Sequence, residues 1–201
     1  MTQHLEQELK YKIAGPAEFE KVLQHLGPPV EVLEQCNHYF SDRPDRPSPD
    51  WSLRVRQENE LFELTFKLGK KQSEGYFQST EVECPIDEQQ VEELLTQPVW
   101  SESLWELPPL QRLRQEFGVN RLVLLGSLRN RRHVCPQAAG WVAELDVTDY
   151  PQGRVDYELE VETAEVATVQ AALQPVSALL SPQSKTKFRR FLEALQLHHQ
   201  G

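Results

Sequence analysis

The segment LEQELKYKI, residues 5–13, alternates apolar and charged side chains along its length. Side chains of a β-strand point alternately to the two faces of a sheet, so this alternation predicts a strand. One face carries apolar residues, and the other carries Glu6, Glu8, Lys10 and Lys12. Because Leu5 and Leu9 are also four residues apart, a helix remains a second interpretation of this segment alone.

Further segments repeat the alternation, and the sequence predicts eight strands. The predicted strands span residues 4–13, 32–41, 51–57, 61–69, 76–84, 121–134, 141–148 and 154–162. Their charged faces carry Arg54, Arg56, Glu63, Lys67, Glu81, Glu83, Glu144, Asp146, Asp156, Glu158, Glu160 and Glu162. The pattern predicts an α+β fold in which an eight-stranded antiparallel sheet closes into a β-barrel with peripheral helices.

Glycine, proline and capping residues mark the ends of the predicted helices. These helices run from Pro16 to Leu26, from Asp87 to just before Pro98, from Pro109 to Phe117, from Thr163 to just before Pro175, and from Ser181-Pro182 through Leu195. They lie between or after the predicted strands, so we expect them on the periphery of the sheet.

The charged strand faces have two physically sound placements. An antiparallel sheet often exposes one polar face to water, and any single strand here fits that interpretation. The faces are almost wholly ionic, however, and inside a barrel they would bring lysines and arginines together with clusters of carboxylates. Such a lumen suits a polyphosphate, which pairs with the bases, and divalent metal ions, which pair with the acids. Patterning alone does not choose between the two.

Composition narrows the class of protein. The chain has 201 residues, which suits one domain, and its net charge of −10 disfavours a general nucleic-acid partner. No apolar run is long enough for a membrane span, and the charged N-terminus is unlike a secretory signal. The three cysteines form no C-x-x-C pair, which argues against a zinc site and favours a cytoplasmic protein. The oligomeric state stays open.

Several motifs together resemble the CYTH family, the triphosphate tunnel metalloenzymes. The matching segments are Glu6-Gln7-Glu8-Leu9-Lys10, Leu53-Arg54-Val55-Arg56, Glu63-Leu64-Thr65-Phe66-Lys67, Ser127 to Arg132, Leu145-Asp146, Tyr157-Glu158-Leu159-Glu160 and Ser184-Lys185. They occur in the family's order over nearly the whole chain. The resemblance implies one such domain over residues 1–201, similar to small bacterial members, with the charged strand faces turned into a triphosphate tunnel.

The resemblance also assigns roles to individual residues. Phosphate would be bound by Lys10, Lys12, Arg54, Arg56, Lys67, Arg132 and Lys185. Mg²⁺ or Mn²⁺ would be bound by Glu6, Glu8, Glu81, Glu83, Asp146, Glu158 and Glu160. Lys10, Arg56 and Asp146 are the predicted catalytic residues. By motif position Arg132, rather than Arg129 or Arg131, is expected to face the tunnel.

Together these features predict an enzyme, a metal-dependent triphosphatase that hydrolyses the terminal phosphoanhydride of inorganic triphosphate. A thiamine triphosphatase is one alternative, because Trp51 could stack on an organic ring. A class IV-type adenylate cyclase and a non-catalytic polyphosphate- or nucleotide-binding module are the others. The expected partner is a small-molecule triphosphate, not a nucleic acid or a membrane.

Overall fold

The computed structural model describes residues 2–73 and 75–196, and within them eight strands close into an antiparallel barrel. The strands are β1 (Thr2–Ile13), β2 (Glu31–Ser41), β3 (Trp51–Glu58), β4 (Leu61–Ser73), β5 (Tyr76–Ile86), β6 (Val123–Pro136), β7 (Val142–Asp149) and β8 (Val155–Glu162). They follow the order β1-β5-β4-β3-β2-β6-β7-β8 around the barrel, and β8 pairs with β1 to close it. The predicted fold class is confirmed.

Strand β1 closes the barrel because it pairs with different neighbours along its two edges. Residues 2–9 pair with β5, and residues 8–13 pair with β8. The pairing of β1 with β5 ends at Leu9. After that point the same edge of β1 pairs with a short ninth strand, β9 (Leu180–Pro182). Backbone hydrogen bonds join the crossover, since Lys10 N donates to Gly75 O and Gln183 N donates to Lys10 O.

The ninth strand corrects a prediction about the last helix. Ser181-Pro182 was expected to open that helix, but these residues lie in β9, and the helix begins at Lys187. The backbone of β1 past Leu9 needs hydrogen-bond partners, and Leu180–Pro182 supply them. This need arises from the pairing of strands that are distant in sequence, and local helix-start residues such as Ser181-Pro182 do not reveal it.

The helices are α1 (Pro16–Leu26), α2 (Glu88–Thr96), α3 (Glu102–Trp105), α4 (Pro108–Phe117), α5 (Val166–Ala172) and α6 (Lys187–Gln196), with 3₁₀ turns at Pro151–Gly153 and Gln174–Leu179. Asp87 caps α2 in a capping box: its carboxylate accepts from Gln90 N at 2.8 Å, and Gln90 Oε1 accepts from Asp87 N at 3.0 Å. The short α3 was not predicted. No helix of the described residues is both long and apolar enough to cross a membrane.

The helices cover the apolar faces of the strands. Leu53 and Phe66 of the barrel lie in one buried cluster with Leu110 and Leu113 of α4. A second cluster joins β1, β7 and β8 to α1. Helix α6 differs, because it packs against Tyr39 and Leu128 on the inner face of the barrel. Because the apolar faces are buried beneath helices, the ionic faces are left to line the interior of the barrel. The structure thus decides the placement that patterning left open.

Gly75 sits where the backbones of β1, β5 and β9 approach most closely. Its φ is +83°, and an added Cβ would lie 2.8 Å from Lys10 O and 3.2 Å from Pro182 Cβ. Gly140, in the turn between β6 and β7, has a similar φ of +85° but nothing within 4 Å of such a Cβ. Gly75 therefore combines a left-handed backbone with a steric limit, and Gly140 has only the former.

We predict that Gly75→Ala lowers the free energy of unfolding by about 2–4 kcal/mol, because it adds a clash to the left-handed backbone cost. Gly140→Ala should cost only about 1–2 kcal/mol from the backbone alone. Urea denaturation of both variants measures the difference. Equal losses would contradict the close approach at Gly75.

Candidate active site

The barrel encloses a cavity of about 420 Å³ lined by charges of both signs. Its cations are Lys10, Arg54, Arg56, Lys67, Arg132 and Lys187, and its carboxylates include Glu6, Glu8, Glu144, Glu160 and Glu162. The aromatic side chains of Tyr39, Phe77 and Phe188 also line it. The strand alternation explains this composition, since every second residue of a barrel strand points inward.

The guanidinium groups of Arg54 and Arg56 lie side by side on β3 without a carboxylate partner. In the described part of the chain neither forms an ion pair: Arg54 Nε is buried without a hydrogen bond, and Arg56 Nε donates to the neutral Asn37 Oδ1 at 3.0 Å. Burial, followed by the positive charges of Arg54 and Arg132, lowers the pKa of Arg56 to about 10. Burial opposes the charge of Arg54, but Tyr39, Glu81 and Glu6 raise its pKa. Arg56 is therefore the cation of this wall that an anion would stabilise most.

Lys67 is the counterion of a carboxylate cluster on β1 and β5. Its Nζ lies 2.5 Å from Glu81 Oε1 and 3.5 Å from Glu8 Oε1, and it also contacts Glu6 Oε2. Burial alone would lower the pKa of Lys67, but the charges of Glu8, Glu81 and Glu6 raise it. Burial opposes ionisation of Glu81, yet Lys67 and Arg54 hold its pKa at about 2. Lys67 and Glu81 are therefore both charged at neutral pH.

Arg132 and Lys187 share a second carboxylate cluster. Arg132 donates Nε and Nη2 to Asp146 at 2.9 and 2.7 Å, and Nη2 also reaches Glu160 Oε2 at 2.9 Å. Lys187 Nζ donates to Asp146 Oδ2 at 2.6 Å and lies 3.3 Å from Glu160 Oε1. Lys10 Nζ completes the group at 2.9 Å from the same Glu160 oxygen. Burial disfavours the charge of Asp146, but Arg132 and Lys187 lower its pKa to about 2.

Helix α6 is fastened to β8 by a buried ion pair. Arg190 Nη2 lies 2.5 Å from both oxygens of Glu158, and Nη1 donates to Asp156 Oδ2 at 2.6 Å. Gln183 Nε2 donates to Glu158 Oε1 at 3.1 Å. Glu158 is 0% exposed and Arg190 is 2% exposed, so this contact lies outside solvent. The attachment places Lys187, one turn earlier on α6, in the cavity.

The structure brings many of the predicted site residues to the cavity wall. Those that line it are Glu6, Glu8, Lys10, Arg54, Arg56, Lys67, Arg132 and Glu160. Arg132 is buried, whereas Arg129 and Arg131 are exposed, in line with the strand parity. Glu81 and Asp146 do not line the cavity, but they contact the lining cations Lys67 and Arg132.

Other predicted residues lie away from the cavity. Lys12 is exposed past the inward stretch of β1, and Lys185 is exposed before α6, where its Nζ bonds to Glu193 at 3.0 Å. Glu83 faces His4, whose Nδ1 is 4.0 Å from its carboxylate. The carboxylate of Glu158 is paired with the guanidinium of Arg190. Strand parity alone does not show how far the lumen extends or which helix residue enters it.

Sequence reasoning missed Lys187 and Arg190. They lie three residues apart and share a helix face with Phe191 and Ala194, both buried. Basic residues on an otherwise apolar helix face indicate buried acidic partners. This pattern could have identified Lys187 and Arg190 as residues of the site. Glu144 and Glu162 were recognised on charged strand faces but not assigned to the site.

The carboxylates suit a hard divalent cation in donor type. Glu6, Glu8 and Glu81 bring oxygens from adjacent strands toward one point, and oxygens are what Mg²⁺ and Mn²⁺ prefer. In residues 2–73 and 75–196 no three acidic, histidine or cysteine side chains are already arranged as a metal site. At that point the three carboxylates contact the Lys67 ammonium. The carboxylates thus match a divalent cation in the type of donor atom, while their contacts in the structure are with Lys67.

The low pKa values of Asp146 and Glu81 predict loss of stability in acid. Both lie at about 2 in the folded protein, against ordinary values of 3.8 and 4.5, so the unfolded chain binds more protons in between. The stabilisation is complete above about pH 4.5 and is lost as pH falls toward 2, with on the order of 3 kcal/mol lost by pH 3. Urea denaturation at pH 5.5 and pH 3 measures it.

The variant Glu81→Gln should show a smaller difference between the two pH values, because one of the titrating groups is gone. Glu60→Gln, in the exposed turn after β3, serves as the control and should keep the wild-type difference. Equal wild-type stability at both pH values would contradict the assignment.

The family model of the CYTH domain matches residues 4–192 of the chain. No curated protein shows a significant sequence match. Among solved structures, HpAC1 from Hippeastrum, a putative adenylyl cyclase with a dominant triphosphatase activity, is 29% identical. The alignment covers 94% of this chain and 95% of that one, with a TM-score of 0.84.

A putative adenylate cyclase from Bacillus halodurans shares the fold at 24% identity. Its alignment covers 95% of this chain and 99% of that one, with a TM-score of 0.74. The family match over nearly the whole chain agrees with the closed barrel and its charged lumen. The chain belongs to the CYTH family.

Proposed function

We propose that the protein hydrolyses the terminal phosphoanhydride of inorganic triphosphate, with Mg²⁺ or Mn²⁺ as cofactor. The observation that carries the proposal is the pair Arg54 and Arg56, which line the cavity without a carboxylate partner in the described residues. Buried or half-buried guanidinium groups are normally paired, and planar two-pronged contacts to phosphate oxygens suit them. A polyanion is the ligand that completes this wall.

The remaining lining cations extend the phosphate-binding surface across the cavity. Lys10 and Lys67 face Arg54 and Arg56 from other strands, and Arg132 and Lys187 add charge beside them. Lys12 and Lys185, which lie outside, are not part of the proposed set. Cations on several sides suit a chain of three phosphoryl groups better than a single phosphate.

The proposed cation ligands are Glu6, Glu8 and Glu81, with Glu160 available on β8. These groups contact Lys67 and Lys10 in the protein without substrate. Triphosphate oxygens would compete for both ammonium groups, and the carboxylates they release would become free to hold the metal ion. When bound, Mg²⁺ or Mn²⁺ would neutralise phosphate charge and orient the attacking water. Substrate and metal would then strengthen each other's binding.

Catalysis in this proposal is mainly positioning and charge stabilisation. Lys10 and Arg56 would stabilise negative charge that develops on the transferred phosphoryl group and on the leaving diphosphate. Asp146, fully buried against Arg132 and Lys187, would act as a positioning residue that fixes these two cations. Glu158, held by Arg190, would likewise position α6.

Inorganic triphosphate is favoured over thiamine triphosphate by the placement of Trp51. The side chain is 4% exposed, and its ring packs 6.4 Å from Phe66 and 6.1 Å from Phe117, centroid to centroid. Trp51 borders the cavity, but because it is so little exposed its ring offers little surface to an organic group. The dominant triphosphatase activity of the Hippeastrum protein supports hydrolysis over cyclisation. The carboxylate clusters support an enzyme over a simple polyphosphate-binding module, which needs no metal ligands.

The first test is phosphate release from inorganic triphosphate, pyrophosphate, thiamine triphosphate and ATP with Mg²⁺ or Mn²⁺. We expect inorganic triphosphate to be hydrolysed fastest, because a diphosphate cannot engage all the lining cations at once. Faster turnover of thiamine triphosphate, or cyclic AMP formed from ATP, would replace the proposed substrate. No hydrolysis of any of them would contradict the proposed activity.

A second test separates phosphate binding from metal binding. Arg54→Met removes one charge-assisted contact and Glu6→Gln removes one carboxylate, so each should lower kcat/KM about ten- to a hundredfold. Higher Mn²⁺ should partly restore Glu6→Gln by mass action and leave Arg54→Met unchanged.

Arg54→Met should lower thermal stability only slightly, since Arg54 forms no ion pair among the described residues and attracts Glu81 and Glu6 only through space. Arg131→Met, which removes an exposed arginine of the barrel's outer side, is the matched control and should keep wild-type kinetics. Equal rescue of both site variants by Mn²⁺ would refute the division of roles between Arg54 and Glu6.

A further inference from the structure

Asn37 lies beside Arg56 on the inner face of the barrel wall. The two residues are opposite each other in the β2–β3 ladder, and Asn37 Oδ1 accepts a hydrogen bond from Arg56 Nε at 3.0 Å. Asn37 is 1% exposed, and its Nδ2 is buried with no hydrogen-bond partner among the described residues. The amide thus fixes one edge of the guanidinium, while the rest of the group belongs to the cavity wall.

A carboxylate would be the more stabilising neighbour for a buried arginine. Aspartate has nearly the same shape as asparagine, and its second oxygen would replace an Nδ2 that makes no hydrogen bond. The exchange would therefore lose no contact and would convert a neutral hydrogen bond into a charge-assisted pair. The neutral amide leaves Arg56 oriented but uncompensated.

The other groups around Arg56 do not supply the missing negative charge by contact. Arg54 and Arg132 add positive charge, and Asp146 is already bound to Arg132 and Lys187. Glu63 is opposite Arg56 on β4, but its carboxylate accepts from Thr65 Oγ1 at 3.2 Å. Asp146 and Glu144 act on Arg56 only through space, so the residue at position 37 is the one whose side chain is hydrogen-bonded to it.

We infer that Asn37 is a positioning residue whose neutrality keeps Arg56 available for the triphosphate, so that the ligand rather than the protein provides the counterion. The inference rests on the proposed function and adds a determinant of anion affinity that does not itself line the cavity. It requires that stability and ligand affinity respond in opposite directions when position 37 becomes negative. A purely structural role would move both in the same direction.

The experiment compares the wild-type protein with Asn37→Asp, Asn37→Ala and the exposed control Asn120→Asp. Isothermal titration calorimetry with inorganic triphosphate in metal-free buffer gives affinity, and thermal unfolding without ligand gives stability. For Asn37→Asp we expect an affinity about ten- to a hundredfold weaker, with Tm equal to or above wild type. Asn37→Ala leaves Arg56 charged, so it should weaken binding only about two- to fivefold while lowering Tm. Asn120→Asp adds the same charge outside the cavity and should match wild type.

The outcomes separate this inference from the proposed function. Wild-type affinity in Asn37→Asp would overturn the role of Asn37 and leave the triphosphate site standing. A lower Tm or failure to fold in Asn37→Asp would also overturn it, since the argument requires the new carboxylate to fit Arg56. Absence of triphosphate binding by the wild-type protein would overturn the proposed function together with the inference.

Discussion

Charge compensation inside a closed barrel is the constraint on which the rest of this structure depends. Ionised side chains removed from bulk water are costly unless they are paired and hydrogen-bonded. The barrel meets this requirement on most of its inner surface by placing bases opposite acids on neighbouring strands. Lys67 serves the carboxylates of β1 and β5, and Arg132 serves those of β7 and β8. Against this background Arg54 and Arg56, which form no ion pair within the described residues, stand out as the proposed place for a ligand.

The same constraint explains why α6 belongs to the site. Asp156, Glu158 and Asp146 would leave the inner face of β7 and β8 strongly negative without added cations. Arg190 and Lys187 supply them from one face of the helix. The apolar side of α6 packs against Tyr39 and Leu128, so hydrophobic burial and ion pairing hold it together. Stability of the helix and composition of the cavity are therefore determined by the same side chains.

A site made of internal ion pairs is prepared to exchange partners. The carboxylates proposed to hold a metal contact the lysines proposed to hold phosphate. In the proposed mechanism an anion and a cation would replace one set of ion pairs by another, so neither group would be left uncompensated. Arg56 differs because its contact at Asn37 is neutral, so no internal pair must break for it to bind an anion. The cavity thus combines lysines, which are paired with carboxylates, and an arginine, Arg56, whose side-chain hydrogen bond is to a neutral amide.

The local pattern of the sequence determined the strands, the ionic and apolar faces and most of the cavity's charged residues. A period of two is a property of the extended backbone itself, so Lys10, Arg56 and Glu160 could be placed on the ionic faces from spacing. The family resemblance, by motif position, selected Arg132 over Arg129 and Arg131. The family resemblance, not spacing, favoured the inward direction of those faces. Tertiary structure decided it, because the helices bury the apolar faces and β1 pairs with both β5 and β8. Tertiary structure also made Leu180–Pro182 a strand, brought Lys187 rather than Lys185 to the cavity, and bound Glu158 to Arg190. These outcomes depend on which distant segments meet, and periodicity within a segment contains no information about that.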